Sequence, residues 1–432
     1  MRAWAARAVL PLALVAGVAL ALVPAGAARG GRNLTGFERR GGTTWTTLAE
    51  ERDYLRSLVA EPDTGRPTWE AARITLTRVG TSARGRPLDL VTLTGARTVA
   101  DPIRVLFVCG QHGDEPAGRE ACLKLVRDLA ADRSPAGRRL LERVTVMVLP
   151  TPNPDGLVAG TRASADGVDL NRDHLAVSTP EARALRRVLR ELRPHIVHDL
   201  HDFDTPAGVY DTPTLFLWPR NLNVAPELRG LAVELARDRI GPALRAAGWG
   251  SGVYGQDRTD RQVAGDADER LLRNAAGIDH AVAVLVEVQS EPASPLERTD
   301  AGLLGRRRVA AHMVAARSTL RMAAERGDAI AQAVRVSRER AERGGVQVHF
   351  DGADNAPVGR VEPARAPCAY RLTPGEYARA RAALTAHGIV VGADLRVETA
   401  QPAGVVVALL LDARARFAVA EAEPADCAGG RA

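Results

Sequence analysis

Residues 103–108 form an apolar run broken only by Arg104, and Cys109-Gly110-Gln111-His112-Gly113-Asp114-Glu115 follows at once, leading into a helical pattern near Ala117. A short apolar run of this kind reads as a buried strand. A strand that opens into a loop and then a helix commits the chain to alternating strands and helices. The loop also presents His112 and Glu115 three positions apart at the strand end, as a two-ligand metal clip. Such a pair is common in chains of this length. Its meaning depends on whether the rest of the chain supplies a third ligand, a base and a substrate anchor.

The alternation continues on both sides. Thr46 or Thr47 can cap a helix through about Ala60, with Glu50 completing a capping box, Leu48, Tyr54, Leu55, Leu58 and Val59 on its buried face, and Pro62 and Gly65 stopping it. Residues 74–79 and 88–93 alternate with period two across a longer loop and predict a β-hairpin. Strands are expected at 103–109, 144–149, 196–200, 215–218 and 281–288, with helices at 118–131, 180–192 and 226–248. Two further helices fit 305–343, divided at Gly327. Beyond Gly344-Gly345, short strands at 346–350, 369–372 and 390–391, a helix at 373–387 ended by Gly388, and an apolar strand at 404–411 are expected. The fold class is therefore α/β: an α/β/α sandwich around a mixed, mostly parallel sheet, with a small C-terminal α/β accessory segment.

The first 27 residues read as a secretory signal peptide. Arg2 and Arg7 are followed by the uncharged apolar stretch 8–23, and Pro24-Ala25-Gly26-Ala27 closes it with an A-x-A pattern. Export with cleavage after Ala27 implies a secreted or extracytoplasmic protein with no stable membrane span afterwards. Residues 28–47 are expected to be a mobile leader, 48–325 the main domain, 326–344 a helical connector and 345–432 the accessory segment. In an exported chain the four cysteines can pair as 109–122 and 368–427, or remain as buried thiols; spacing does not decide. The net charge of +6 rests almost wholly on arginine, Lys124 being the single lysine, and no basic patch is interleaved with aromatics. Nucleic acid is thereby excluded as an expected partner.

A catalytic zinc typically takes three protein ligands and keeps one open position. His195-Ile196-Val197-His198-Asp199-Leu200-His201-Asp202 offers the third, and His201, just past the apolar part of that strand, is the choice; His198 lies inside the strand and reads as structural. Glu287 sits in the apolar strand 281–288, where a carboxylate is costly to bury without a task, and suits a general base. Arg162, Asp169, Asn171 and Arg172 follow the turn Asn153-Pro154-Asp155-Gly156, and arginine with asparagine suits a carboxylate.

Taken in order, His112-x-x-Glu115, Asn153-Pro154-Asp155-Gly156, Arg162, Asp169-x-Asn171-Arg172, His201 and Glu287 resemble the zinc carboxypeptidase family, the M14 metallopeptidases. Gly80-Thr81-Ser82-Ala83-Arg84-Gly85-Arg86-Pro87-Leu88 resembles that family's opening motif, and the likeness runs from about residue 48 to 315. It implies one Zn2+ per chain held by His112, Glu115 and His201. Asp169 would orient His112. Asn171 and Arg172 would grip the free carboxylate of a peptide or peptide-like substrate. Arg162 would polarise the scissile carbonyl, and Glu287 would act as the base. Two positions depart from the pattern. Asp202 stands where peptide-digesting members often have serine, and Tyr254, the candidate for the family's substrate-side tyrosine, lies in poorly matching surroundings. The expected function is an exported zinc metallocarboxypeptidase. The alternatives are a zinc amidase or deacylase acting on cell-wall peptides or acyl amino acids, and a non-catalytic peptide-binding protein.

Overall fold

The computed structural model describes residues 33–60, 72–204, 210, 212–257, 259, 265–345, 347–355 and 363–427. The expected signal peptide, and Pro62 and Gly65 with it, lie outside the described residues. No helix among the described residues is long and apolar enough to cross a membrane.

Eight strands make one sheet: β1 (Arg73–Thr81), β2 (Pro87–Thr94), β3 (Ile103–Cys109), β4 (Val144–Leu149), β5 (Ile196–Phe203), β6 (Thr214–Leu217), β7 (Gly252–Val253) and β8 (Val282–Gln289). Their order is β1-β2-β4-β3-β5-β8-β6-β7. The centre, β4-β3-β5-β8, is parallel, while β1, β2 and β6 join antiparallel. Period-two alternation buries both faces. Val105, Phe107 and Cys109 of β3 point into one apolar cluster, and Leu106 and Val108 into the other. The helices Pro116–Ala131 and Ala301–Glu325 supply side chains to the first layer, and Pro180–Leu192 and Leu272–Ile278 to the second. From β3 the chain goes to β4 on one side, then crosses to β5 on the other. This reversal of strand order leaves a crevice at the carboxyl ends of β3 and β5, where open α/β sheets place their ligands.

Several expectations need correction. The described part of the supposed mobile leader, residues 33–47, is packed. Thr35 closes a capping box on the helix Gly36–Arg39. Phe37, 3% exposed, stacks on Trp45 at 4.8 Å, and its N–H donates to Thr46 Oγ1. A Gly/Arg/Thr-rich composition hid this aromatic pair. Val59 faces solvent rather than the core. The helix expected over 226–248 carries a π-helical stretch, Glu234–Ile240, in which the Gly241 N–H bonds the carbonyl five residues back at Ala236. Pro242 follows at the start of the next α-helical turn and has no N–H to continue the ladder.

In the last segment, residues 404–411 form a helix, Gly404–Leu411, rather than a strand. Seven of its eight residues are buried, so it shows none of the amphipathic periodicity that separates a helix from a buried strand. Residues 390–391 are irregular, with Val390 exposed. A three-stranded sheet of Arg396–Glu398, Ala369–Arg371 and Glu423–Ala425 carries this segment together with the helix Pro374–His387. Both disulfides are present, Cys109–Cys122 between β3 and its following helix and Cys368–Cys427 within the C-terminal segment.

Three buried histidines outside the crevice act as neutral hydrogen-bonding groups. His174 bonds Gln111 Oε1, His198 bonds Thr319 Oγ1 and His387 bonds the Leu175 carbonyl. Burial lowers their pKa values to about 4, 3 and 3. The unfolded chain takes up protons near pH 6.5 while the folded chain does not, so stability is present above that pH and is lost as pH falls. Each contributes a loss of about 2 kcal/mol by pH 5. His201 and Glu287 run the other way, because Asp199 and Glu115 outweigh burial and hold the His201 pKa high while burial raises that of Glu287, and both offset part of the loss. The melting temperature is expected to drop clearly between pH 7 and pH 5; a flat or rising profile would contradict these assignments.

Candidate metal centre

β5 runs three residues further than its apolar pattern, to Phe203, so His201 and Asp202 lie within the strand. His201 is the register partner of Glu287 on β8, which sets the two side chains beside each other on one face. Asp199, two residues before His201, shares that face. The third contributor is the turn after β3. Gly110 adopts φ +97°, a left-handed conformation open mainly to glycine, and the chain then presents Gln111, His112 and Glu115.

This turn is locked by the loop after β4. Asn153 caps the helix Pro154–Ala159 through the Gly156 N–H, and its amide donates to the Gln111 carbonyl at 3.0 Å. Asp155 accepts from Ser82 Oγ and the Arg84 N–H, both at 2.9 Å, and pairs with Arg86, tying the β1–β2 loop to the same place. The Asn153-Pro154-Asp155-Gly156 turn therefore supports the site rather than entering it. Gly113 makes the closest approach: a Cβ there would lie 2.0 Å from the Gly156 carbonyl carbon and 2.2 Å from Leu157 N. Gly113→Ala is expected to cost about 2–3 kcal/mol and to weaken metal binding, because the backbone on both sides must move. Thermal unfolding with metal content measured in parallel checks this. An unchanged melting temperature would show that the turn relaxes freely.

His112 Nδ1 lies 2.7 Å from Glu115 Oε1, His201 Nδ1 lies 2.7 Å from Glu115 Oε2, and the two Nδ1 atoms are 3.0 Å apart. All three side chains are buried, and their ligand atoms fall within 4.8 Å of one another. Two imidazole nitrogens and a carboxylate converging on one point suit a divalent zinc-type cation. The outer ring nitrogens are held by carboxylates, His112 Nε2 by Asp169 at 3.0 Å and His201 Nε2 by Asp199 at 3.0 Å. Such partners fix the tautomer and leave Nδ1 as the ligating atom. Asp199 escaped the sequence reading; its placement two residues before His201 is the signal that could have found it. Gln111 then holds Asp199 at 2.7 Å. Burial alone would raise the Glu115 and Asp169 pKa values, but the neighbouring histidines lower both below the ordinary range.

Glu287 is 8% exposed, and its Oε2 has no hydrogen-bond partner among the described residues. Burial raises its pKa well above the carboxylate range; Glu115, Asp199 and Asp202 add to this and His201 opposes it. A proton-accepting group without a partner therefore stands beside the His112–Glu115–His201 cluster.

The remaining expected residues surround this centre. Arg162 donates to Glu115 Oε1 at 2.9 Å and to Asp169 Oδ2 at 3.1 Å. Asn171 is buried, its Oδ1 accepting the Leu272 N–H and its Nδ2 lying 3.3 Å from His201 Nε2. Arg172 keeps 42% of its side chain exposed and approaches Asp268 only to 4.0 Å. Tyr254 is half-buried and stacks on Tyr210 with ring centroids 6.0 Å apart. Burial, and then the charge of Glu287, raise the pKa of Tyr254. Tyr210, a position the sequence reading passed over, also feels Glu287, and its hydroxyl accepts the Gly255 N–H. Asp202 turns inward. It accepts from the Ala117 N–H and Arg308 and faces His312, while its own N–H donates to Glu115 Oε2.

Residues 70–186 match the zinc carboxypeptidase family. A probable carboxypeptidase 2 of Trichophyton verrucosum (strain HKI 0517) is 30% identical over 269 residues, covering 58% of this chain and 50% of that protein. Carboxypeptidase 2 of Trichophyton rubrum is 32% identical over 225 residues, covering 48% and 42%. The chain thus spans half or less of the length of these relatives. A metallo-carboxypeptidase structure from Burkholderia cenocepacia aligns with a TM-score of 0.49 at 21% identity, covering 63% of this chain and 68% of that one.

Proposed function

We propose that this chain belongs to the zinc carboxypeptidase family and hydrolyses the C-terminal peptide bond of peptides outside the cytoplasm. The observation that carries the reading is the convergence of His112, Glu115 and His201 with Glu287 in register on the next strand. Zinc, held by those three residues, would activate water and polarise a carbonyl oxygen. Asp169 and Asp199 orient the two imidazoles. Glu287, raised by burial and free at Oε2, takes a proton from water at that oxygen and returns it to the leaving amine. Arg162 lies at the mouth of the centre, where a guanidinium stabilises negative charge developing on the carbonyl oxygen. The half-exposed Arg172 guanidinium takes the substrate carboxylate, with Asn171 anchoring the turn that carries it and Tyr254 and Tyr210 closing the far side.

Export is supported by the pairing of all four cysteines, which fits an oxidising compartment. The catalytic part is assigned to residues 48–325.

The deciding assay compares peptides with free and amidated C-termini. Free peptides should release their last residue, amidated ones should not, chelation should abolish release, and about one zinc per chain should restore it. Equal cleavage of amidated peptides would favour an amidase, and full activity after metal removal would end the zinc reading.

A further inference from the structure

The strands that gather the metal-type ligands at their carboxyl ends leave a second cleft at their amino ends. It has a volume of about 760 Å³ and is lined by Arg104, Arg190, Arg193, Arg338, Asp279 and His387, with Pro402 and Ala403 on the far wall. That volume lies in the range of small-molecule sites. Arg104 is the second residue of β3, so the length of that strand, about 20 Å, separates this cleft from His112.

Its charge is not balanced from within. The Asp279 carboxylate is committed to Arg186, and Glu191, also on the wall, pairs with Arg190. Arg193 and Arg338 come from different elements, the C-cap of the helix Pro180–Leu192 and the helix Gly327–Glu342. Neither guanidinium has a hydrogen-bond or ion-pair partner among the described residues. Arg193 holds φ +44°, a strained conformation for a residue with a side chain. Burial lowers the Arg338 pKa; Asp279 opposes this, while Arg193, Arg186 and Arg104 push it further down, as like charges facing a common space do.

Two features add polar capacity. His387 is 7% exposed and donates from Nε2 to the Leu175 carbonyl, while its Nδ1, an acceptor on the neutral ring, has no partner and can take the O–H of a protonated phosphate oxygen. Ala403 begins the helix Gly404–Leu411 without a side-chain cap, so the partial positive charge of that helix's first turn borders the cleft.

We propose that this cleft binds a phosphate-class oxyanion, either free or as a phosphate monoester, held chiefly by Arg193 and Arg338. Guanidinium groups recognise such anions in bidentate geometry, and two of them arriving unpaired from separate helices form a clamp. The proposal is independent of the hydrolytic reading and survives its failure.

Calorimetric titration of the full chain with orthophosphate and with glycerol 3-phosphate, at ionic strength fixed with sodium chloride, tests it. One saturable site per chain is expected, weakened about tenfold or more by Arg338→Gln or Arg193→Gln and unchanged by Arg172→Gln. Tighter binding of the ester would identify an organic phosphate as the occupant, and tighter binding of orthophosphate the free ion. Arg193→Gln removes a charge that sits among other arginines and should melt no lower than the parent, whereas Arg338→Gln also gives up the attraction of Asp279, so its unfolding is measured alongside as the control for folding. Phosphate should raise the parent's melting temperature and not theirs. Absence of saturable binding with either probe, or binding lost in Arg172→Gln and retained in Arg338→Gln, would overturn the proposal.

Discussion

Glu287→Gln is expected to leave the chain folded and able to bind metal while lowering kcat by about 10²–10⁴-fold, the usual contribution of a positioned base. The side chain is 8% exposed, and Oε2 makes no hydrogen bond among the described residues, so no structural contact depends on its charge. Glutamine keeps the shape and replaces a carboxylate that burial already disfavours. The melting temperature should therefore stay level or rise. What glutamine cannot do is accept a proton. Because His201 and Glu287 are register partners, a base moved by one position along the strand would face away from the metal cluster. Metal content, unfolding and turnover on a free-carboxylate peptide are measured on one preparation. Turnover above a tenth of the parent's would remove Glu287 as the base, and loss of metal would recast it as a structural part of the cluster.

The sequence exposed this centre unevenly, for physical reasons. His112, Glu115, His201 and Glu287 were legible because polar residues at the ends of apolar runs are conspicuous. The central parallel strands were legible for the same reason. The end of β5 was not, since His198, Asp199, His201 and Asp202 interrupt the apolar pattern although every one of them is buried. Each of these side chains has its own buried partner or ligand role, which periodicity cannot register. Asp199, inside the expected strand 196–200, was passed over because a lone carboxylate in an apolar run carries no pattern of its own. The helix Gly404–Leu411 failed in the opposite sense, being apolar on every side, and the packed stretch at 33–47 was masked by its glycines and arginines.

Arg119 illustrates the same blindness at the largest cost in stability. Among so many arginines it reads as one more solvated side chain, yet it is 1% exposed. Its Nε donates to Glu51 Oε2 at 2.6 Å and to Thr151 at 3.0 Å, and its terminal nitrogens reach the Thr46 and Thr47 carbonyls. One guanidinium thus joins the helix Leu48–Ala60, the segment before it and the strand end at Thr151 to the helix that starts beside Glu115. Arg119→Met keeps the length of the side chain but strands the buried Glu51 carboxylate, which among the described residues retains only Thr151. An uncompensated buried charge costs about 3–5 kcal/mol, so urea unfolding should show a loss of that size. Pairing Arg119→Met with Glu51→Leu removes the orphaned charge and should recover most of it, since apolar replacements of buried ion pairs are often neutral. The metal centre reports the same event, because the helix carrying Arg119 begins one residue after Glu115 and its Ala117 N–H is held by Asp202. A drop below 1 kcal/mol in the single variant, or equal losses in single and double variants, would show that the cost lies in packing and not in the stranded charge.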